Sequence, residues 1–173
     1  MDTPIARGET LSLEMCPKSE NEKEDMSRVL YSSVVGSLMY VMICTRSDIC
    51  YVVGLVSRYQ SNPRRDHWKT MKRIFRYLKG TADYSLCYNG NNLYLRGYTE
   101  VDWASDRNDR KSISGYAFLL NGGAISWKSK KQTCTTISTM EAELVACASA
   151  VQEGVWLKRF FEYWILQRTL RVS

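Results

Sequence analysis

The sequence predicts an α+β fold: a helical N-terminal half, then an antiparallel meander of short strands, then one long helix. Three observations carry this. Apolar residues recur every three or four positions between Arg28 and Lys79, the period changes to two after Thr81, and a helix-start signature appears at Ser138. Residues 1–26 hold Pro4, Gly8, Pro17 and the charged run Lys18–Asp25 with no apolar period, and read as an acidic mobile leader.

The first helical pattern runs through Val34, Leu38, Val41 and Met42, the second through Ile49, Val52, Val53 and Val56. Between them Thr45-Arg46-Ser47-Asp48 supplies the polar residues that end one helix and cap the next. Asn62-Pro63 breaks the pattern, and a third helix is expected from about Asp66 to Lys79, with Trp68, Met71, Phe75 and Leu78 as its apolar face and Gly80 as its stop. Tyr84, Leu86 and Tyr88 then alternate before the turn signal Asn89-Gly90-Asn91-Asn92. Leu93, Leu95 and Tyr98 follow, then Ile113 to Leu120, the turn Asn121-Gly122-Gly123, and Ala124 to Trp127. Ser138-Thr139-Met140-Glu141 fits a capping box, a hydroxyl cap with a carboxylate three residues later reaching back to free backbone donors. The stripe Leu144, Ala148, Val151 and Val155 is expected to be the buried face of the helix, continuing toward Trp156 and Phe160.

At 173 residues, 45% hydrophobic and 24% charged, the chain is neither disordered nor fibrous in composition and has room for one domain or two very small ones. Charge is unevenly spread. Residues 1–26 carry three bases against seven acids, net −4, while the remainder carries 21 bases against 11 acids, net +10. Eight of those bases lie between Arg58 and Lys79 against the single acid Asp66, with Trp68, Phe75 and Tyr77 interleaved. Such a face attracts nucleic-acid backbone with strong salt dependence and little sequence preference. The candidate RNA- or DNA-binding residues are Arg65, Lys69, Lys72, Arg73 and Arg76.

Cys16, Cys44, Cys50, Cys87, Cys134 and Cys147 show no Cys-x-x-Cys spacing, which favours free buried thiols over a disulfide framework or zinc site. His67 is the lone histidine and reads as a packing or surface residue. The uncharged run Val29–Thr45 has 17 residues but contains Tyr31, Ser32, Ser33, Gly36, Ser37 and Tyr40, so a buried helix is expected there and no membrane span. No signal-peptide h-region is present, which points to an intracellular protein of the cytoplasm or nucleus.

Several strings carry a residue-level likeness. Leu95-Arg96-Gly97-Tyr98-Thr99-Glu100-Val101-Asp102-Trp103-Ala104-Ser105-Asp106, Arg110-Lys111-Ser112-Ile113-Ser114-Gly115-Tyr116, Ile125 to Gln132, and Ser138-Thr139-Met140-Glu141-Ala142-Glu143-Leu144 resemble the ribonuclease H region of copia-type retrotransposon polyproteins. Tyr31 to Tyr40, Thr45-Arg46-Ser47-Asp48-Ile49 and Arg76-Tyr77-Leu78-Lys79-Gly80-Thr81 resemble the end of the reverse transcriptase and its connection to that region. The resemblance implies three parts: the leader 1–26, a helical connection-like region 27–82, and a truncated ribonuclease H-like region 83–173.

It also implies a metal site. In the family, carboxylates on separate elements hold Mg²⁺ for phosphodiester hydrolysis. The leading strand Asp of the family aligns with Glu100, its companion with Asp102, and the helix carboxylate with Glu143, while the two acids beyond the first helix have no counterpart before Ser173. The extra methylene of Glu100 displaces its carboxylate by more than about 1 Å, and small misplacements at such sites cost on the order of 10²-fold. The expectation is a non-catalytic protein without cofactor, acting by binding. A weak Mg²⁺-dependent ribonuclease using Glu100, Asp102 and Glu143 is the enzyme alternative. Finally, Arg168-Thr169-Leu170-Arg171 spells the Arg-x-Leu-Arg tetrapeptide of secreted oomycete effectors. That resemblance implies delivery into the host plant cytoplasm or nucleus, host proteins as partners, and modulation of immunity and cell death.

Overall fold

A computed structural model describes residues 3–6, 8–89 and 94–170, the last six of these by backbone only. The strongest apolar segment, Ile49 to Val56, folds as α3 (Cys50–Ser57) behind a 3₁₀ turn at Ser47–Ile49, with Ile49, Val52, Val53 and Val56 at or near zero exposure. Around α3 pack α2 (Tyr31–Cys44), through Tyr31, Val35 and Leu38, and α4 (Arg65–Gly80), through Met71, Ile74 and Tyr77. The Tyr31 hydroxyl donates to the Val56 carbonyl at 2.9 Å, which ties α2 to the end of α3 without leaving a buried donor open.

The residues expected to be a mobile leader are partly built into this core. Leu13–Met15 forms a 3₁₀ turn, α1 spans Glu20–Ser27, and Leu11 and Met26 are buried in the same cluster as α2, α3 and α4. Local composition gave no sign of this because the anchoring apolar residues are single and far apart, and the acids between them find bases on α4.

The buried face of α4 is also rotated from the expected one. Phe75 is exposed and Trp68 and Leu78 are half-buried, whereas His67, Thr70 and Tyr77 are inside. Each of these three polar residues has a partner that a hydrophobicity pattern does not register. The Thr70 hydroxyl donates to Glu9 at 2.5 Å and the Tyr77 hydroxyl to Asp48 at 2.7 Å. His67 stacks on Tyr59 with ring centroids 4.3 Å apart, and its Nδ1 accepts the Arg64 backbone N–H at 2.9 Å, closing the open start of the helix. With Nδ1 an acceptor, the imidazole is neutral, and burial pushes its pKa below the ordinary 6.5. The unfolded chain therefore binds the proton more readily. Stability is complete above pH 6.5 and declines as pH falls below it, so the thermal midpoint should be flat above about pH 6.5 and fall in more acidic buffer. A His67→Gln variant should show a flatter pH profile across that window.

After α4 the three strands β1 (Leu95–Asp102), β2 (Ile113–Leu120) and β3 (Gly123–Lys131) form an antiparallel meander in the order β1-β2-β3. The β2–β3 turn is the two residues Asn121-Gly122, both at positive φ (52° and 86°), the twist that suits a tight hairpin and that Asn-Gly tolerates. The strand expected at Tyr84–Tyr88 does not form. Tyr84 and Tyr88 are exposed, and the segment is held by single bonds, Tyr88 hydroxyl to the Ala124 carbonyl and Asn89 N–H to the Asn121 carbonyl, with no ladder. Of the turn expected after it, residues 90–92, and Leu93 beyond, lie outside the described residues.

The final helix α5 (Thr139–Leu170) starts where the capping signature places it. Ser138 accepts the Glu141 N–H at 3.2 Å, and the Glu141 carboxylate accepts the Ile137 N–H at 2.8 Å. Its buried face, however, is Ala142, Ala146, Ala150 and Leu157, while Leu144 is 70% exposed and Val151 and Val155 are also open. The sheet presents the large ring of Phe118, which lies 3.2 Å from where a Cβ on Gly154 would sit. Small residues let the helix approach that surface, so residue size outweighs hydrophobicity in choosing the face.

Helical and sheet regions join through Trp127, whose indole N–H donates to the Met42 carbonyl at 3.0 Å, and through the Asp106 ion pairs described below. Among the described residues no single helix is long and apolar enough to cross a membrane. The pair α1 and α2 reaches that length and composition only together, bent by 56° at its break. All six cysteines are free. Against the expectation of burial, only Cys50 is buried and Cys16 half-buried, because the other four lie on outward helix positions or loops.

Candidate functional site

Helix α4 has 16 residues, a length of roughly 24 Å. Spacing of three and four places Arg65, Lys69, Lys72, Arg76 and Lys79 along one outward stripe, opposite buried Ile74, and all five are exposed. Arg73 lies to one side of the stripe, half-buried, with one guanidinium nitrogen 3.4 Å from the Thr3 hydroxyl. Of the five sequence-predicted binding residues, four therefore share the stripe and Arg73 flanks it. Lys79, absent from that set, extends it by a further turn.

The stripe is not uniformly open. Lys69 pairs with Asp66 at 2.7 Å, Arg65 with Asp25 at 3.2 Å, and Arg64, just before the helix, with Glu22 at 2.7 Å. Hydrogen bonding and charge from Arg65 hold the Asp25 carboxyl below its ordinary pKa. Among the described residues Lys72, Arg76 and Lys79 have no ion pair.

The three acids implied by the metal-site resemblance do not converge. Gly97 is in register with Phe118, the residue that meets α5, so odd positions of β1 face α5 and the even positions Glu100 and Asp102 face the α3 side. There they border an 820 Å³ cavity with Asp48, Tyr51, Trp127 and Lys128. Burial, and after it the Asp102 charge, raise the pKa of the Tyr51 hydroxyl. Glu143 is exposed on α5, the helix that lies on the other face of the sheet against Phe118. Among the described residues no group of three His, Cys, Asp or Glu side chains is arranged to hold a metal ion. The residues present do not fit an Mg²⁺ centre.

Two polar clusters that pattern reading does not single out hold the framework around these features. Arg46 grips both Asp48 oxygens at 3.0 and 2.7 Å and donates to the Thr81 carbonyl and hydroxyl at 3.0 and 2.6 Å, joining the end of α2 to the end of α4. Burial alone would raise the Asp48 carboxyl, but the Arg46 fork and the Tyr77 hydroxyl outweigh it and hold the pKa below its ordinary value. Asp106, its side chain 2% exposed, receives Arg58 from the helical side at 2.7 Å and Lys131 from β3 at 3.2 Å. The clue in both cases is a charged residue inside an otherwise apolar or turn-forming string. Of the Arg-x-Leu-Arg tetrapeptide, Arg168, Thr169 and Leu170 fall in the last turn of α5 with side chains outside the described residues, and Arg171 lies outside them altogether.

No protein-family model matches the chain, and no solved structure matches it. Curated proteins do. The retrovirus-related Pol polyprotein from transposon TNT 1-94 of Nicotiana tabacum is 50% identical over 162 residues, 94% of this chain and 12% of that protein. The corresponding polyprotein from transposon RE2 of Arabidopsis thaliana is 38% identical over 156 residues, 90% of this chain and 10% of that one. The chain thus spans about a tenth of the polyproteins it matches. Secreted RxLR effector protein 161 of Plasmopara viticola is 45% identical over 133 residues, 76% of this chain and 94% of that protein. At 50% and 38% identity over 94% and 90% of its length, the chain belongs to the copia-type retrotransposon Pol family and is retrotransposon-derived.

Proposed function

We propose that this retrotransposon-derived chain acts by binding nucleic acid through the exposed stripe of α4, without cleaving it. The observation that carries the reading is the alignment of Arg65, Lys69, Lys72, Arg76 and Lys79 on one outward face, over roughly 21 Å of helix. Point charges at that spacing follow a phosphate backbone and read no base sequence. The separation of Glu100 and Asp102 from Glu143 supports the non-catalytic part, because two-metal hydrolysis requires the carboxylates to meet.

The test is a Lys72→Gln/Arg76→Gln double variant, which alters two exposed side chains and no packing. It should bind an RNA–DNA hybrid roughly tenfold or more weakly at moderate salt, and its log affinity against log salt should be shallower by about 1.4 to 1.8. Unchanged affinity would remove the stripe from the account. In the same preparation the hybrid should stay intact with Mg²⁺ or Mn²⁺, and cleavage lost on Glu143→Gln would establish the ribonuclease alternative instead.

A second reading rests on the likeness to the Plasmopara viticola effector, of which 94% aligns. On this reading the chain works in the cytoplasm or nucleus of a host plant cell, bound to host proteins, and alters immunity. Expression in leaf cells challenged with a death-inducing elicitor should then change the extent of cell death. Unaltered death responses would dismiss it.

A further inference from the structure

Polar side chains from the segment before α2 meet the start of α4, and their contacts are one-sided. Glu22 takes Arg64 at 2.7 Å, Asp25 takes Arg65 at 3.2 Å, Glu9 receives the Thr70 hydroxyl at 2.5 Å, and Thr3 meets Arg73 at 3.4 Å. All four contacts lie on the first two and a half turns of α4 and the residue before it. Lys72, Arg76 and Lys79, on the outward face toward the C-terminal end, are left without ion pairs among the described residues. The segment is pinned at Leu11 and Met26, both buried, while α1 between the pins and α4 is an eight-residue helix with Met26 as its one buried residue. A helix that short holds its shape through its contacts and not by itself.

We propose that this segment is an acidic strap that neutralises the N-terminal end of the nucleic-acid face of α4, and that a phosphate backbone must displace Asp25 from Arg65, and Glu22 from the neighbouring Arg64, to engage that end of the stripe and its flank. The inference rests on the nucleic-acid reading above and adds its regulation. The strap is built to yield. The Arg65–Asp25 pair is more than half exposed on both sides and the Arg64–Glu22 pair about a third, so water and salt weaken both. A polyanion offers the same guanidinium groups several charges at once. Binding therefore starts at the open Lys72, Arg76 and Lys79 and extends toward Arg65 as the carboxylates leave.

The experiment compares the full chain with two double variants on a labelled nucleic-acid duplex across salt. Glu22→Gln/Asp25→Asn removes the strap charges and keeps an acceptor for the Lys18 N–H, which Glu22 now caps at 3.0 Å. Glu20→Gln/Glu24→Gln removes two charges from the same helix that, among the described residues, make no ion pair with α4. Strap release should raise affinity roughly tenfold at about 50 mM salt, with an advantage that shrinks toward about 200 mM, and should steepen the salt slope by about one to two. The control pair should leave the slope unchanged. Equal gains in both variants would show a net-charge effect and overturn the strap. Binding by the wild-type chain with no change in the Glu22/Asp25 variant would overturn it too. Absence of salt-dependent binding in all three proteins would instead overturn the underlying nucleic-acid reading. Melting curves that overlay the wild type establish that both variants are folded.

Discussion

Replacing Arg46 by Ala is expected to cost about 3 kcal/mol of folding stability, the lower end of the range for breaking a buried ion pair from one side, because the Asp48 side chain left behind is 34% exposed. The guanidinium is almost enclosed and makes four hydrogen bonds, two to Asp48 and two to Thr81. Its plane also lies over the rings of Tyr77 and Tyr84, at 5.5 and 5.9 Å from their centroids. Removing it leaves the Thr81 carbonyl with the Tyr84 N–H at 3.2 Å and the Asp48 carboxylate with the Tyr77 hydroxyl, and opens a void. Arg46→Met keeps most of the stem volume, so the difference between the Ala and Met variants in a urea titration separates packing from the polar network. Arg46→Lys should recover only part of the loss, since an ammonium cannot fork between Asp48 and Thr81. Because Asp48 is held below its ordinary pKa of 3.8, the stability of this pair is present above that value and fades as pH falls through the lowered one.

The second large effect is expected at Asp106. Asp106→Asn should cost about 3 kcal/mol, at the lower end of the same range because Arg58 and Lys131 are 21% and 30% exposed and can turn toward water. Its consequence is regional. Among the described residues Asp106 is the one acid that takes a base from the helical region and a base from the sheet, so its loss should loosen the joint before either part unfolds. Hydrogen exchange should rise first in β3 near Lys131 and at the C-terminal end of α3. Uniform acceleration over the whole chain would mean that the joint is no separate unit.

These clusters also mark where the sequence stops being legible. Helices α2, α3 and α4, the Asn121-Gly122 hairpin and the Ser138 cap follow from local signals: period, turn chemistry and a hydroxyl–carboxylate spacing. Each is settled by residues within a few positions of one another. The face of α4 is not, because burying His67, Thr70 and Tyr77 depends on Tyr59, Glu9 and Asp48 from elsewhere in the chain. The face of α5 is set by Phe118 on a distant strand, which favours Ala146 and Ala150 over Leu144 and Val151. The leader reads as unstructured from its sequence because Glu22 and Asp25 find their partners, Arg64 and Arg65, some forty residues away.

Much the same division holds for the site. The basic stripe was readable because it repeats along one helix. That Glu100 and Asp102 lie across the sheet from Glu143 required knowing the strand register. The Arg64 and Arg65 partners on α1 required the tertiary fold.

The proposed contact between α4 and a phosphate backbone is tested by the affinity of the wild-type chain for an RNA–DNA hybrid over a salt series. Between three and five neutralised phosphates predict a log–log slope of about −2 to −4.5, with the three open bases giving the shallow limit. An affinity that does not change with salt, or no binding at low salt, would contradict the account.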